Sequence, residues 1–301
     1  MAGAYNGHIM NRRQTIKSIS GMAAAAAVAH ALGNRVKAAE QAAAGKGRFR
    51  HSVCRWCFSG IPLDEFCQEV KKIGIESVEL LGADEWEVTK RHGLDCAIGA
   101  VGVRNGVGGI PNSFNRVENH DTLLGLYEDL VPKAAEAGVT TLIAFSGNRA
   151  GMDDEEGMRN CIEGLKRVMP VAEKHGITIA MELLNSRVDH EDYMCDRTEW
   201  GVGVVEGVGS ERCKLLYDIY HMQIMEGDVI ATFTRHREAI AHFHTAGVPG
   251  RNEIDDTQEL NYRGISRALV EMGYTGFLGQ EFIPTREPLT SLREAVEICT
   301  V

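Results

Sequence analysis

Along most of this chain, short β-branched apolar runs take turns with stretches whose apolar residues recur every three or four positions. The runs lie near His51 to Phe58, Ser77 to Leu81, Cys96 to Val101, Thr140 to Phe145, Ile177 to Leu184, Lys214 to Ile219, Ala241 to Thr245 and Phe277 to Phe282. The helical spacing covers Leu63 to Ile73, Leu123 to Ala137, Met158 to Lys174, Asp228 to His236, Ile265 to Met272 and Leu292 to Ile298. Strands that alternate with helices form parallel sheets, and eight such units predict an α/β fold, a closed (β/α)8 barrel in one domain of about 250 residues. An open doubly wound sheet is the rival. Its nucleotide fingerprint is missing, because the glycines of Gly102 to Gly109 follow strand three and lead into a long loop instead of a helix. A mobile lid is the expectation for that loop.

Four of the runs end in a side chain that can bind metal: Glu182 in ITIAMELLN, Asp218 in CKLLYDIYH, His244 in IAHFHTAG and Glu281 in GFLGQEFIP. They are about 36, 26 and 37 residues apart, roughly one strand-plus-helix unit each. Strand ends converge on one mouth of a barrel, and three carboxylates gathered there would repel one another without a cation. Oxygen and nitrogen donors suit Mn²⁺, Mg²⁺ or Co²⁺, with Zn²⁺ also accepted. His242 shares the inward face with His244 but lies one layer deeper, so it is expected to be a core histidine or to support the ligands. His221, three residues after Asp218, is placed to hydrogen-bond a substrate oxygen. Arg251, in the turn Gly247-Val248-Pro249-Gly250-Arg251, and Arg149, after strand four, are candidate oxyanion holders, and Asn185 is a candidate substrate contact. Trp56, Trp86 and Phe114 are candidate pocket walls.

Residues 1–38 change what the charge means. Asn11-Arg12-Arg13 precedes an Ala- and Gly-rich block and small-residue cleavage options, the order of a twin-arginine export signal. Residues 39–50 read as a linker and 51–301 as the barrel. The block is too short and alanine-rich for a membrane span, so an exported, periplasmic protein is expected. Losing the segment removes five bases and no acid, moving the formal charge from -10 to about -15. Nucleic acid is then excluded as a partner, since no basic groove exists to displace counterions. Metal-assisted carbonyl chemistry on a small molecule is expected, and a homo-oligomer stays open. The eight cysteines are scattered and expected to pack as thiols; Cys54 and Cys57 fall on strand one, facing opposite sides.

The runs Phe114-Asn115-Arg116-Val117-Glu118-Asn119-His120, Met181-Glu182-Leu183-Leu184-Asn185, Tyr217-Asp218-Ile219-Tyr220-His221-Met222-Gln223 and Gly247-Val248-Pro249-Gly250-Arg251 resemble the hydroxypyruvate isomerase group of the xylose isomerase-like TIM barrels. The resemblance covers nearly everything after residue 50. It implies Glu182, Asp218, His244 and Glu281 as ligands of one divalent ion, Glu182 and Glu281 also as an acid/base pair, and His221 and Arg251 as substrate contacts. It further implies isomerisation, through an enediolate, of hydroxypyruvate or a similar small hydroxy-carbonyl or sugar substrate. One position departs: that group commonly has Gln where this chain has His244, whereas the ketose 3-epimerases of the same superfamily have His. An epimerase, a cyclitol dehydratase and a non-catalytic sugar-binding barrel are the alternatives. DNA-repair endonucleases of this barrel type match less well, needing more His ligands and a basic face.

Overall fold

Seven strands form one parallel sheet: β1 (Arg50–Cys54), β2 (Ser77–Glu79), β3 (Thr141–Ala144), β4 (Thr178–Leu183), β5 (Cys213–Asp218), β6 (Ile240–Thr245) and β7 (Phe277–Gln280). This computed structural model describes residues 49–301, so the expected export signal and all but the end of the linker lie outside the described residues. The spatial order is β2-β1-β7-β6-β5-β4-β3. The gap between β3 and β2 is filled by the segment 95–100. Val78 N–H donates to the Asp95 carbonyl and Leu80 N–H to that of Ile98, while Gly99 N–H donates to Thr141 and Ile143 N–H returns to Gly99. The sheet therefore closes into a (β/α)8 barrel with a parallel eighth stave.

That stave corrects the expected strand from Cys96 to Val101, which is bridged at single points instead of laddered. Its composition gives the reason. Ala97 N–H is taken by the Ser77 hydroxyl at 2.8 Å, which removes a ladder bond, and within 95–100 only Ile98 has a β-branched side chain. Strand one is also shorter than its apolar run suggested. It ends at Cys54, and Arg55–Phe58 form a 3-10 turn, so Cys57 leaves the strand and the facing argument for the two thiols lapses. All eight cysteines are free.

Nine α-helices surround the described barrel: α1 (Leu63–Ile73), α2 (Trp86–Arg91), α3 (His120–Ala137), α4 (Asp154–His175), α5 (Thr198–Val208), α6 (Ile219–Met225), α7 (Val229–Arg235), α8 (Tyr262–Glu271) and α9 (Pro288–Cys299). α1 has the expected bounds. It buries Phe66, Cys67 and Val70 and stops at Gly74, whose φ of 95° is a left-handed cap that glycine adopts without a Cβ clash. α4 begins four residues before the periodicity does, because the Asp153 carboxylate accepts the N–H groups of Glu155 and Glu156 and caps the helix. Helices α2, α5 and α6 were not expected. α5 is valine- and glycine-rich, and its polar face is narrow, with Glu199 and Glu206 as its only charges.

Apolar packing falls into two parts. Ile98, Ile143, Ala180 and Leu216 fill the inside of the barrel, and the larger core lies between sheet and helices. Strand alternation carries the inward face onward from Ala180 to Glu182 and from Leu216 to Asp218, up to the mouth. Among the described residues, no helix is long and apolar enough to cross a membrane.

Candidate metal centre at the barrel mouth

Glu182 on β4, Asp218 at the end of β5, His244 on β6 and Glu281 just past β7 come together as the sequence predicted. Each offers a ligand atom, and these atoms all lie within 4.8 Å of one another, with every residue buried. The register explains the convergence. Asp218 pairs with His244 across β5 and β6, and Glu281 N–H donates to the Thr245 carbonyl at 2.9 Å, so three neighbouring staves end at one level. The Tyr193 hydroxyl fixes the fourth by donating to the Glu182 carbonyl at 2.9 Å.

The donor atoms fit a divalent cation. Asp218 Oδ1 caps α6 by accepting His221 N–H at 3.2 Å, which leaves Oδ2 buried with no hydrogen bond; Glu182 Oε1 is also buried and unbonded. Buried carboxylate oxygens left this way are costly unless something positive meets them. His244 Nδ1 lies 2.9 Å from Glu281 Oε2 and 3.5 Å from Glu182 Oε1, and supplies the nitrogen of a mixed oxygen and nitrogen set.

Environment separates the acids. Burial pushes the Glu182 carboxyl up, and the Glu281 charge adds to it. Burial, with the same neighbour, also pushes Asp218 well up. On Glu281 burial acts in the same sense but loses to the charges of His244 and Arg251, so that carboxyl is held well below its usual range.

Arg251 reaches Glu281 Oε2 at 2.9 Å and Asp218 Oδ2 at 3.8 Å. Its guanidinium lies 5.0 Å from the Trp56 ring and 5.4 Å from the Tyr220 ring, both within cation–π range. Trp56 Nε1–H donates to the other Glu281 oxygen at 2.7 Å.

His221 is fully buried, and Asn185 sets its tautomer. The Asn185 amide oxygen accepts the N–H groups of Val188 and Asp189, which turns its NH₂ toward His221 Nδ1 at 2.6 Å. Nδ1 therefore accepts, and the proton sits on Nε2, 3.7 Å from Asp218 Oδ2. Burial, then the Arg251 charge, lowers the imidazole's pKa and keeps it neutral. The sequence offered Asn185 as a substrate contact; here it orients His221.

Arg149 is not brought to the cluster. Its guanidinium binds Asp154 at 2.7 Å, Asp196 at 3.1 Å and the Tyr193 carbonyl, so it staples two loops together. Phe114 and Trp86 also leave the wall. Phe114 packs on Tyr127 in the core, and buried Trp86 donates to the Leu81 carbonyl. Trp56 does face the cavity.

That cavity, about 390 Å³, opens beside Glu182, Glu281, Arg251 and His190. Across from them the lining is apolar, with Leu80, Val101, Ile110, Ile143 and Phe145. The expected lid segment forms part of this side: Gly102, Val103, Gly108 and Gly109 line it, and an Arg104–Asp129 ion pair ties it to α3. A larger surface depression of about 660 Å³ around Asp255 to Arg263 contains none of the four ligand candidates.

One buried acid escaped the sequence reading. Glu79, at the end of β2, is fully buried beneath the cluster, with Oε2 3.1 Å from His242 Nε2 and Oε1 3.3 Å from His244 Nε2. Burial opposes its charge, but His242 and His244 outweigh that and bring its pKa down to about 2. The run Ser77-Val78-Glu79-Leu80-Leu81 carried the same kind of signal as the other four, a metal-ligand side chain closing a short strand.

Residues 67–300 match the protein family described as Xylose isomerase-like TIM barrel. The 2-oxo-tetronate isomerase of Cupriavidus necator is 36% identical over 123 residues, 41% of this chain and 46% of that protein. The hydroxypyruvate isomerase of Escherichia coli K12 is 30% identical over 144 residues, 48% of this chain and 55% of that protein. The chain thus spans about half the length of the curated relatives it matches. The crystal structure of AP endonuclease, family 2, from Brucella melitensis has a TM-score of 0.73 at 26% identity, covering 83% of this chain and 98% of that one.

Proposed function

The chain belongs to the xylose isomerase-like TIM barrel family, and on that premise we propose a divalent-metal-dependent isomerase acting through an enediolate on hydroxypyruvate or a similar small hydroxy-carbonyl compound. The observation that carries this reading is the buried convergence of Glu182, Asp218, His244 and Glu281 beside an open cavity. The two isomerase names among the relatives support it. An ion held by those four residues, Mn²⁺, Mg²⁺ or Co²⁺ by donor type and Zn²⁺ by tolerance, would supply Lewis acidity toward a carbonyl and its neighbouring hydroxyl.

The residues divide the remaining work. Glu182, whose charge is disfavoured by burial, takes the proton from the carbon next to the carbonyl. Glu182 then returns that proton to the adjacent carbon, while Glu281, on the far flank of the four staves and kept ionised by His244 and Arg251, takes the substrate's hydroxyl proton and passes it to the former carbonyl oxygen. The neutral His221 donates its Nε2–H to a substrate oxygen, and the Arg251 fork holds the oxygen on which charge develops. The apolar wall excludes water from these steps.

A ketose 3-epimerase is the second reading, favoured by one residue: His244 stands where hydroxypyruvate isomerases commonly have Gln. The two differ in which carbon receives the proton. Nucleic acid is not part of the proposal, because a formal charge of -10 repels a polyanion. We also propose that residues 1–38 direct twin-arginine export to the periplasm, and Arg12→Lys with Arg13→Lys should then retain the protein in the cytoplasm on fractionation.

The test is solvent-deuterium incorporation, read by mass spectrometry, into hydroxypyruvate and a set of ketoses incubated with the Mn²⁺-loaded protein. Metal-dependent exchange into hydroxypyruvate supports the first reading, and exchange into a ketose alone supports the second. Tight Mn²⁺ binding with no exchange into any compound would sink both and favour a binding protein or a dehydratase.

A further inference from the structure

We propose that Glu79 is a positioning residue for the metal centre: its carboxylate holds the Nε2 side of His244, so that Nδ1 is the nitrogen presented to the ion. The inference rests on the metal reading above and extends it to a residue outside the four ligands.

The two nitrogens of His244 face different carboxylates. Nδ1 looks toward Glu281 and Glu182, at 2.9 and 3.5 Å, and Nε2 looks down toward Glu79 at 3.3 Å. A ring that gives one lone pair to a metal keeps its proton on the other nitrogen, and a carboxylate at that nitrogen fixes both the tautomer and the ring plane. Glu79 is anchored in turn from below by His242, at 3.1 Å, so the sequence of contacts runs from the barrel interior to the mouth.

The barrel is built around this carboxylate. A Cβ at Gly279 on β7 would fall 1.9 Å from Glu79 Oε1 and 2.9 Å from His244 Cδ2, so β7 omits a side chain where acid and imidazole meet. Cys54, from β1, closes the same pocket as a thiol, its Sγ 3.7 Å from Glu79 Oε1 and 3.6 Å from His244 Nε2. A fully buried acid has no solvation reason to be here, and the apolar part of the barrel interior is Ile98, Ile143, Ala180 and Leu216.

The rival for the same atoms is a second metal site, since Glu79, His242 and His244 also offer ligand atoms within 4.8 Å of one another. That would require His244 to bind through both nitrogens and surrender its last ring proton. The positioning role asks for nothing beyond a neutral imidazole.

The experiment is calorimetric titration of Mn²⁺ into the full-length protein, Glu79→Gln and Gly279→Ala, with ¹⁵N-histidine NMR of the Zn²⁺-loaded wild type. The expected result is one ion per wild-type chain, zinc on Nδ1 of His244 with a proton on Nε2, and Mn²⁺ affinity about 10- to 100-fold weaker in Glu79→Gln at unchanged stoichiometry. Gly279→Ala, which keeps the acid but displaces it, should weaken affinity in the same direction. Affinity of Glu79→Gln within twofold of wild type, zinc on Nε2, or two ions per wild-type chain with one lost in Glu79→Gln would each overturn the inference while leaving the first metal site standing. No binding by the wild type would overturn the metal reading itself, and this inference with it.

Discussion

The two sides of the barrel mouth are built to opposite rules. From β4 to β7, each stave ends in a charged or imidazole side chain held rigidly by ladder bonds, and the buried atoms there outnumber their hydrogen-bond partners. From β2 through the irregular stave to β3, the cavity wall above the buried Glu79 is Leu80, Val101, Ile110, Ile143 and Phe145, with no charged side chain among them. Bond-making groups need fixed geometry, and regular strands provide it. The apolar side can only exclude water and limit shape, which strengthens the electrostatics opposite. Under the proposed function, chemistry falls to one flank and selectivity to the other.

The largest expected effect breaks the charged flank. Glu182→Gln should lower metal-dependent deuterium exchange by about 10²–10⁴-fold, the usual contribution of a general acid/base. The metal-free variant should melt no lower than wild type, because a buried charge has been removed without changing volume. Loss of exchange accompanied by loss of folding would put Glu182 in the structural class and erase the contrast. Next is the layer beneath: Leu216→Ala should cost about 2–5 kcal/mol in urea unfolding, since a leucine inside the barrel leaves a cavity that cannot collapse. Smaller again is Arg251→Lys, which keeps the charge but loses the fork beside Trp56 and Tyr220. A fall of about tenfold to a hundredfold in kcat/KM with unchanged Mn²⁺ affinity would assign the fork to substrate oxygen.

The same division governs what could be read from the sequence. The charged flank was legible because a carboxylate or histidine closing a β-branched run is rare enough to stand out, as Glu182, Asp218, His244 and Glu281 do. Glu79 carried that signal too, but it follows only two strand residues and points to the layer below the mouth, so its spacing did not single it out. The apolar flank was not legible. Its eighth stave has one β-branched residue and gives a ladder bond to the Ser77 hydroxyl, so the run predicted a strand that local chemistry dissolves. Arg149 shows a different limit. A loop arginine after a strand looks like an oxyanion holder until the fold supplies Asp154 and Asp196 as partners, and those are tertiary facts.

The smallest expected effect concerns how the two loops of the charged flank are tied together. Glu253, two residues past Arg251, accepts from Thr285 N–H at 2.8 Å, the Thr285 hydroxyl at 2.9 Å, Arg286 N–H at 3.1 Å and the Ser291 hydroxyl at 2.9 Å. This fastens the Arg251 loop to the loop that follows Glu281. Burial works against the carboxylate, but the backbone and Thr285 donors outweigh it and hold its pKa down to about 2, from an ordinary 4.5. A carboxyl whose folded pKa lies below its unfolded value contributes stability that is complete above the unfolded value and fades as pH falls toward the folded one. Wild-type melting temperature should therefore drop between about pH 4.5 and pH 2 more steeply than that of Glu253→Gln, which has no proton to gain. At neutral pH the variant should lose less exchange activity than Arg251→Lys, because the fork stays and only its anchor loosens. Parallel melting curves for the two proteins across that window would show that the loops are held by other contacts, and that the charged flank owes its rigidity to the strands alone.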